Sequence, residues 1–428
     1  AIMNKNKCFL MMPKEMASEY KFSKYNIYLD ESKGLVYNAV TQAVSTFENH
    51  TMDIDDISEL VDCGFVVPVD MDELEEIKNE YDGRKKLSNE LHLIIATTLD
   101  CQFSCCYCYE SHPKVYMNAD VKKNIIDLVK DHAATGKNIS VVWYGGEPLL
   151  DFESVCMLSK SFIDVCRTYG VNYHASMLSN GYLFSPESIN ELDELQIKSV
   201  QITLDGMKDV HEQRRPLMDG SSSFDRIIRN MKNIKEKTDV EVHLRINVDK
   251  SNIESAYELI RYCSSVGLDN IDVNLGMLKA FGCDHVCGAR SSNLFTMKEF
   301  SLEFLKFRDY IEELGFEKAV KKMVPEYKIN SCTMDAPNAY VIDPHGWVYK
   351  CISQIGKKES AIGNVSMVFN ENAHTIYSPF LSKRCTLCNF FPVCKGGCLL
   401  NNSGSSVECN IWKYITGELV MREISGCI

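Results

Sequence analysis

Four cysteines fall within eight residues in Cys101-Gln-Phe-Ser-Cys105-Cys106-Tyr107-Cys108, directly after the apolar run LHLIIAT. Thiolates spaced Cys-x3-Cys-x2-Cys can hold a soft metal or an iron–sulfur cluster, and three ligands rather than four leave one position open for chemistry. At this chain's cysteine frequency, 19 in 428 residues, that spacing arises by accident in roughly 4% of chains. Its place at a strand end therefore matters as much as the spacing. Cys106 is out of register and is expected as a packed or exposed free thiol. The competing reading of the triplet is a structural zinc site closed by His112. A second group, Cys385-x2-Cys388-x5-Cys394-x3-Cys398, would arise by accident in only about two chains per thousand. Cys332 and Cys351 precede it and Cys409 follows. Sulfur ligation of this kind suits zinc or iron–sulfur clusters alike.

The cysteine count is odd, which fits complete disulfide pairing poorly, and no apolar run of 18 residues or signal-peptide core is present. A cytoplasmic chain whose thiols stay reduced is expected, and there a cysteine framework binds metal more often than it forms disulfides. The formal net charge of −13, with no basic stripe, argues against nucleic acid, and no membrane association is expected.

The elements that must position these groups follow from periodicity. From about 91 to 310, strand and helix patterns alternate six times, with strands at LHLIIAT, ISVVWY, YHASML, SVQITL, VEVHLRINV and IDVNLGML. Val121, Ile125, Leu128 and His132 share one helix face, with Asn118 as N-cap and Gly136 as stop. Such alternation predicts parallel strands in an α/β partial barrel, with a doubly wound sheet as the alternative. In a barrel, functional groups gather at the carboxyl ends of strands. Here those ends carry the cysteine triplet, Gly145-Gly146-Glu147-Pro148, Ser179-Asn180-Gly181 and Asp205-Gly206, while the fifth strand carries Arg245.

The Cys101–Cys108 loop and the strand ends that follow resemble the radical S-adenosylmethionine superfamily over about residues 90–310. The resemblance implies a partial (β/α)6 TIM-like barrel. It also implies a 4Fe–4S cluster held by Cys101, Cys105 and Cys108, with its open iron taking S-adenosylmethionine. Tyr107 would contact adenine, Gly145, Gly146 and Glu147 would receive the methionine amino group, and Ser179 and Asn180 the ribose or carboxylate. Arg245 would bind the carboxylate, and Asp205 is a candidate proton acceptor. Reductive cleavage of the sulfonium to a 5′-deoxyadenosyl radical is the implied chemistry. The run C…GxxxxC…CxxCxxxxxCxxxC…C looks like the SPASM extension of peptide-modifying radical enzymes, which implies two auxiliary 4Fe–4S clusters. Cys385, Cys388, Cys394 and Cys409 would close one; Cys332, Cys351 and Cys398 would hold the other. That second cluster has an open iron unless Cys283 and Cys287, or Cys427, close it.

Residues 24–85 read as a separate unit: a hairpin from YNIYLDE and GLVYNAV, helices at TQAVSTF, DISELV and DELEEIKNEY, and a strand at CGFVVP. GRKKLSNE is the expected linker. This unit resembles the winged-helix-like module with which peptide-modifying enzymes bind a leader by strand addition. Thirteen acidic residues against one Lys in 48–82 predict a basic leader. The domains expected are 1–86 for peptide recognition, 87–315 for the radical core, and 316–428 for a bridging region and SPASM domain. The function expected is a thioether crosslink, of the sactipeptide or ranthipeptide type, made in a precursor peptide, with flavodoxin or ferredoxin as reductant. Carbon–carbon crosslinking, epimerisation, Cys or Ser oxidation as in anaerobic sulfatase maturation, and a non-catalytic zinc-organised peptide binder are the rivals.

Overall fold

The protein is described by a computed structural model covering residues 11–12, 19–30, 34–47, 54–86, 89–279, 293–316, 325–367, 369–400 and 408–425. Cys283, Cys287 and Cys427 lie outside the described residues.

Strands run β1 (Met11–Met12), β2 (Tyr20–Phe22), β3 (Asn26–Asp30), β4 (Leu35–Asn38), β5 (Val44–Phe47) and β6 (Val66–Pro68), with helices α1 (Ile54–Asp62) and α2 (Glu73–Lys86) among them. Then follow β7 (Glu90–Ala96), α3 (Ala119–Ala134), β8 (Asn138–Tyr144), α4 (Phe152–Tyr169), β9 (Tyr173–Ser179), α5 (Pro186–Glu194) and β10 (Ile197–Thr203). Next are α6 (Lys208–Arg214), α7 (Phe224–Lys237), β11 (Glu241–Val248), α8 (Ile253–Ser265), β12 (Asp272–Met277) and α9 (Met297–Glu313). Three short strands follow, β13 (Ala339–Ile342), β14 (Trp347–Tyr349) and β15 (Gly363–Asn364).

All six core strands form where the alternating pattern puts them. Their order β12-β11-β10-β9-β8-β7 never reverses, and every pairing within it is parallel. A doubly wound sheet reverses strand order at a switch point, so the partial-barrel arrangement is the one adopted. Leu91, Leu93 and Ile95 pack with Val121, Ile125, Val155 and Phe162 on the helix side. Ile94 and Ala96 face the other way, against Tyr144 and Val341, as the period of two requires. Asn118 caps α3 by accepting from the Val121 N–H, and Gly136 follows at φ +81°.

The sheet does not end at β7. β13 pairs parallel with β7, Tyr340 opposite Leu93, and β14 and β15 continue antiparallel. A strand from the cysteine-rich third thus joins the barrel sheet, a pairing across the chain that local periodicity cannot reveal.

In the N-terminal unit the hairpin forms as β3 and β4. The helix expected at TQAVSTF is instead the strand β5, pairing Val44 with Tyr37 and Thr46 with Leu35; β-branched residues suit a pleated strand. Gly83–Lys86, expected as linker, continues α2, since Arg and Lys are good helix formers. CGFVVP supplies β6, which pairs with β2 rather than with the hairpin. The unit is not free-standing: Tyr25, Ile27, Leu35, Tyr37 and Ile77 share one core with Cys385, Phe391, Val393 and Val420. Among the described residues no helix is long and apolar enough to cross a membrane.

Candidate functional site at the barrel mouth and in the cysteine-rich tail

The cysteine loop leaves β7 through Thr97 and Thr98, whose carbonyls accept from Met117 and Gly146 N–H at 2.8 and 3.2 Å. It is then bonded on two sides. On one, Glu147 N–H donates to the Asp100 carbonyl at 2.9 Å. The two glycines exist for this contact: a Cβ on Gly145 would meet the Thr98 carbonyl oxygen at 2.2 Å, and one on Gly146 the Asp100 oxygen at 2.2 Å. Gly145 also sits at φ +128°, where a side chain is strained. On the other side, Ser104 and Cys106 N–H donate to Pro216 and Arg214 carbonyls at 2.9 Å each, and Met218 N–H returns to Gln102 at 2.9 Å.

Glu147 is fully buried. Its carboxylate accepts from Ser179 Oγ at 2.8 Å, Asn180 N–H at 2.8 Å and Leu149 N–H at 3.1 Å. Burial nonetheless pushes its pKa up to about 7, against those bonds. Asn180 in turn donates Nδ2 to Cys101 Sγ at 3.9 Å and accepts from Gln102 at 3.2 Å. The ends of β7, β8 and β9 are therefore one knot around Cys101. Burial pushes the Cys101 and Cys108 thiols up to about 12 and Cys105 upward as well, so binding of a metal group would release their protons.

Beyond the triplet lies a buried ionic cluster. Arg215 Nη1 donates to Tyr107 Oη at 2.7 Å, and Asn247 Nδ2 does so at 3.2 Å. Arg214 reaches Asp205 at 3.4 Å and Asp249 at 3.1 Å. Burial raises the pKa of Asp205, with Arg215 the largest opposing influence. Among the described residues, Asp205 Oδ1, Arg214 Nη2 and Arg215 Nε are buried without hydrogen-bond partners, an arrangement that costs free energy unless a ligand supplies the missing partners. Arg245 is engaged: Nε donates to Asn247 at 3.0 Å and Nη1 to Asn274. Gly276 leaves room for it, since a Cβ there would lie 1.9 Å from the guanidinium. His211, Arg214, Arg215 and Asp249 escaped the sequence reading. The signal for the first three was present in HEQRRP, soon after the Asp205-Gly206 turn.

The tail thiols fall into two groups. Cys385, Cys388, Cys394 and Cys409 line one cavity with Arg384, Glu408 and Lys413, and Cys394 feels the charge of the other three. Cys332 lies within electrostatic reach of Cys351 and Cys398, and burial pushes it up to about 11. Among the described residues every cysteine is free of disulfides. No three His, Cys, Asp or Glu side chains there converge on a point that could hold a single ion. His112, the proposed zinc ligand, turns Nδ1 to the Leu99 carbonyl at 3.2 Å.

Residues 95–263 match the model of the Radical SAM superfamily. The cysteine-type anaerobic sulfatase-maturating enzyme of Clostridium novyi is 23% identical over 343 residues, 72% of this chain and 87% of that protein. The structure of anSMEcpe with bound AdoMet and Cp18Cys peptide is similar at TM-score 0.61 and 19% identity, covering 79% of this chain and 100% of that one. Streptococcus suis SuiB bound to precursor peptide SuiA is similar at TM-score 0.53 and 14% identity, covering 91% of this chain and 98% of that one. The fold is the radical SAM α/β fold with its largely parallel central sheet. The superfamily implies a 4Fe–4S cluster and S-adenosylmethionine, and three unbridged thiols on a braced loop beside unpartnered polar groups fit that pair.

Proposed function

We propose that this chain modifies a ribosomally made precursor peptide, joining a peptide cysteine to a carbon of another residue as a thioether, with three 4Fe–4S clusters and S-adenosylmethionine as cofactors. The observation that carries this reading is the grouping of the thiols: 101/105/108 at the barrel mouth, 332/351/398 and 385/388/394/409 in the tail.

When bound, the first cluster and S-adenosylmethionine supply a carbon radical able to take hydrogen from an unactivated carbon. The chain's own residues bind, orient and exclude water. Cys101, Cys105 and Cys108 hold the cluster. Gly145 and Gly146 let the turn approach the cysteine loop, and Glu147, Ser179 and Asn180 keep that loop and the amino-acid end of the cofactor in register. Tyr107 faces adenine. Arg215 Nε is the better carboxylate donor than Arg245, whose Nε and Nη1 are already used. In the tail, Cys332, Cys351 and Cys398 would hold one cluster through three thiols, leaving room for a peptide thiolate, and Cys385, Cys388, Cys394 and Cys409 would hold the other.

The N-terminal unit, residues 1–86, holds the leader; 87–315 form the radical core and 316–428 the tail domain. SuiB, which shares the fold, was captured with a precursor peptide. The electron donor is a flavodoxin or ferredoxin. Oxidation of a Cys or Ser side chain is a second reading, favoured by the unpartnered Asp205 Oδ1, which can accept a proton. Anaerobic reaction with the cognate precursor separates these by mass spectrometry. The thioether reading expects loss of a hydrogen pair per linkage and disappearance of an alkylatable thiol. An unchanged mass means epimerisation, and a lost hydrogen pair with all thiols still alkylatable contradicts thioether formation.

A further inference from the structure

We propose that Tyr81, on α2 of the N-terminal unit, is a positioning residue for Cys332 in the tail, acting through the buried carboxylate of Asp335. Tyr81 Oη donates to Asp335 Oδ2 at 3.2 Å, and both residues are buried, at 2% and 0% exposure. The same carboxylate accepts from Cys332 N–H at 2.9 Å and Ser331 N–H at 3.0 Å. Ser331 Oγ then donates to the Gly397 carbonyl at 2.6 Å, next to Cys398. One carboxylate thus ties α2 to the backbone of Cys332 and, one residue on, to the neighbour of Cys398.

A parallel contact reinforces it. Glu80 accepts from Tyr327 Oη at 2.6 Å, and Lys395 Nζ lies 4.6 Å from the Tyr327 ring centroid and 5.1 Å from that of Phe391. Two of the three thiols at this site are placed by contacts that begin in the N-terminal unit. Any ligand that shifts α2 shifts Cys332, and by linkage a group bound at Cys332 alters how tightly that ligand is held.

Tyr37 provides the control. Its hydroxyl donates to the Pro325 carbonyl at 2.7 Å, joining the same two units without touching Asp335. Tyr81→Phe keeps the ring packed edge-on to Phe380 at 5.2 Å, while losing the bond to Asp335 and one with Ser378. Amide hydrogen exchange on the anaerobically reconstituted full chain reads the clamp directly. Tyr81→Phe is expected to speed exchange of the Ser331 and Cys332 amides about two- to tenfold, the worth of one buried hydrogen bond. Tyr37→Phe is expected to leave those amides unchanged. Wild-type exchange in Tyr81→Phe, or equal acceleration by both variants, overturns the proposal.

A second arm rests on the reading of Cys332 as an iron ligand. In anaerobically reconstituted protein, Tyr81→Phe is expected to shift the electron paramagnetic resonance signal that Cys332→Ala removes, while Tyr37→Phe leaves it. An unshifted signal in Tyr81→Phe counts against the clamp. Cys332→Ala removing no signal from wild type sinks the ligand reading and leaves the exchange result to decide the clamp.

Discussion

Cys101, Cys105 and Cys108 lie on one continuous loop whose backbone is hydrogen-bonded to the Gly145 turn on one side and to residues 214–218 on the other. The seven tail thiols come from four separate stretches, held by short helical turns such as Lys383–Thr386 and Phe391–Cys394 and by borrowed contacts. The first site is braced by strand ends that a large apolar core fixes in place. The second draws its order from the N-terminal unit and from β13 in the barrel sheet. On the function proposed above, the cluster that would hold a cofactor in one geometry sits on the rigid end, and those that would meet a peptide sit where two units join.

The largest expected effect tests that contrast. Stripping iron from the anaerobic protein is expected to raise amide exchange across residues 383–398 by at least about tenfold, because metal affinity is folding energy there. Exchange across β8–β11 is expected to stay unchanged. If the two regions loosen together, the contrast fails. Next in size, Gly146→Ala forces a Cβ to within 2.2 Å of the Asp100 oxygen and 2.5 Å of the Leu99 oxygen. Backbone must move, at about 1–3 kcal/mol, and thermal unfolding should show it together with lower iron content. Gly396→Ala in the tail meets nothing nearer than 3.8 Å and carries only the strain of φ +80°, about 1 kcal/mol. Equal losses would erase the difference.

The smallest effect comes from the opposite end of the barrel. His243 on β11 lies 3.1 Å from Asp272 and 3.5 Å from Glu241, and its pKa is raised, chiefly by the Asp272 bond. A raised histidine binds its proton more tightly when folded, so its contribution is full below the ordinary histidine value and lost as pH rises through the raised one. With the side chain 31% exposed, His243→Gln should cost well under about 1 kcal/mol at about pH 6. By about pH 9 it should cost nothing. Denaturant midpoints at the two pH values check this, and a larger loss at the high pH contradicts it.

Much of this was legible. The six barrel strands announced themselves by alternation, α3 by Asn118, and the glycine turn by its composition. The division of the tail thiols into 385/388/394/409 and 332/351/398 came from resemblance in motif order alone. What stayed hidden is non-local. Nothing in AYVI says that it will pair with β7, and nothing in TQAVSTF outweighs the helix reading until Leu35 and Tyr37 are seen beside it. Arg214 and Arg215 were passed over; only the 102–106 loop folding onto them makes them part of the site. Asp335 was passed over because the partner that gives it a role, Tyr81, lies 254 residues away.

The most direct test asks whether the braced loop does what its three thiols imply. Anaerobically reconstituted protein, given S-adenosylmethionine and dithionite, is expected to release 5′-deoxyadenosine. Cys105→Ala, whose barrel core is untouched, is expected to release none while retaining its tail iron. Deoxyadenosine formed at the parent rate by Cys105→Ala contradicts the account.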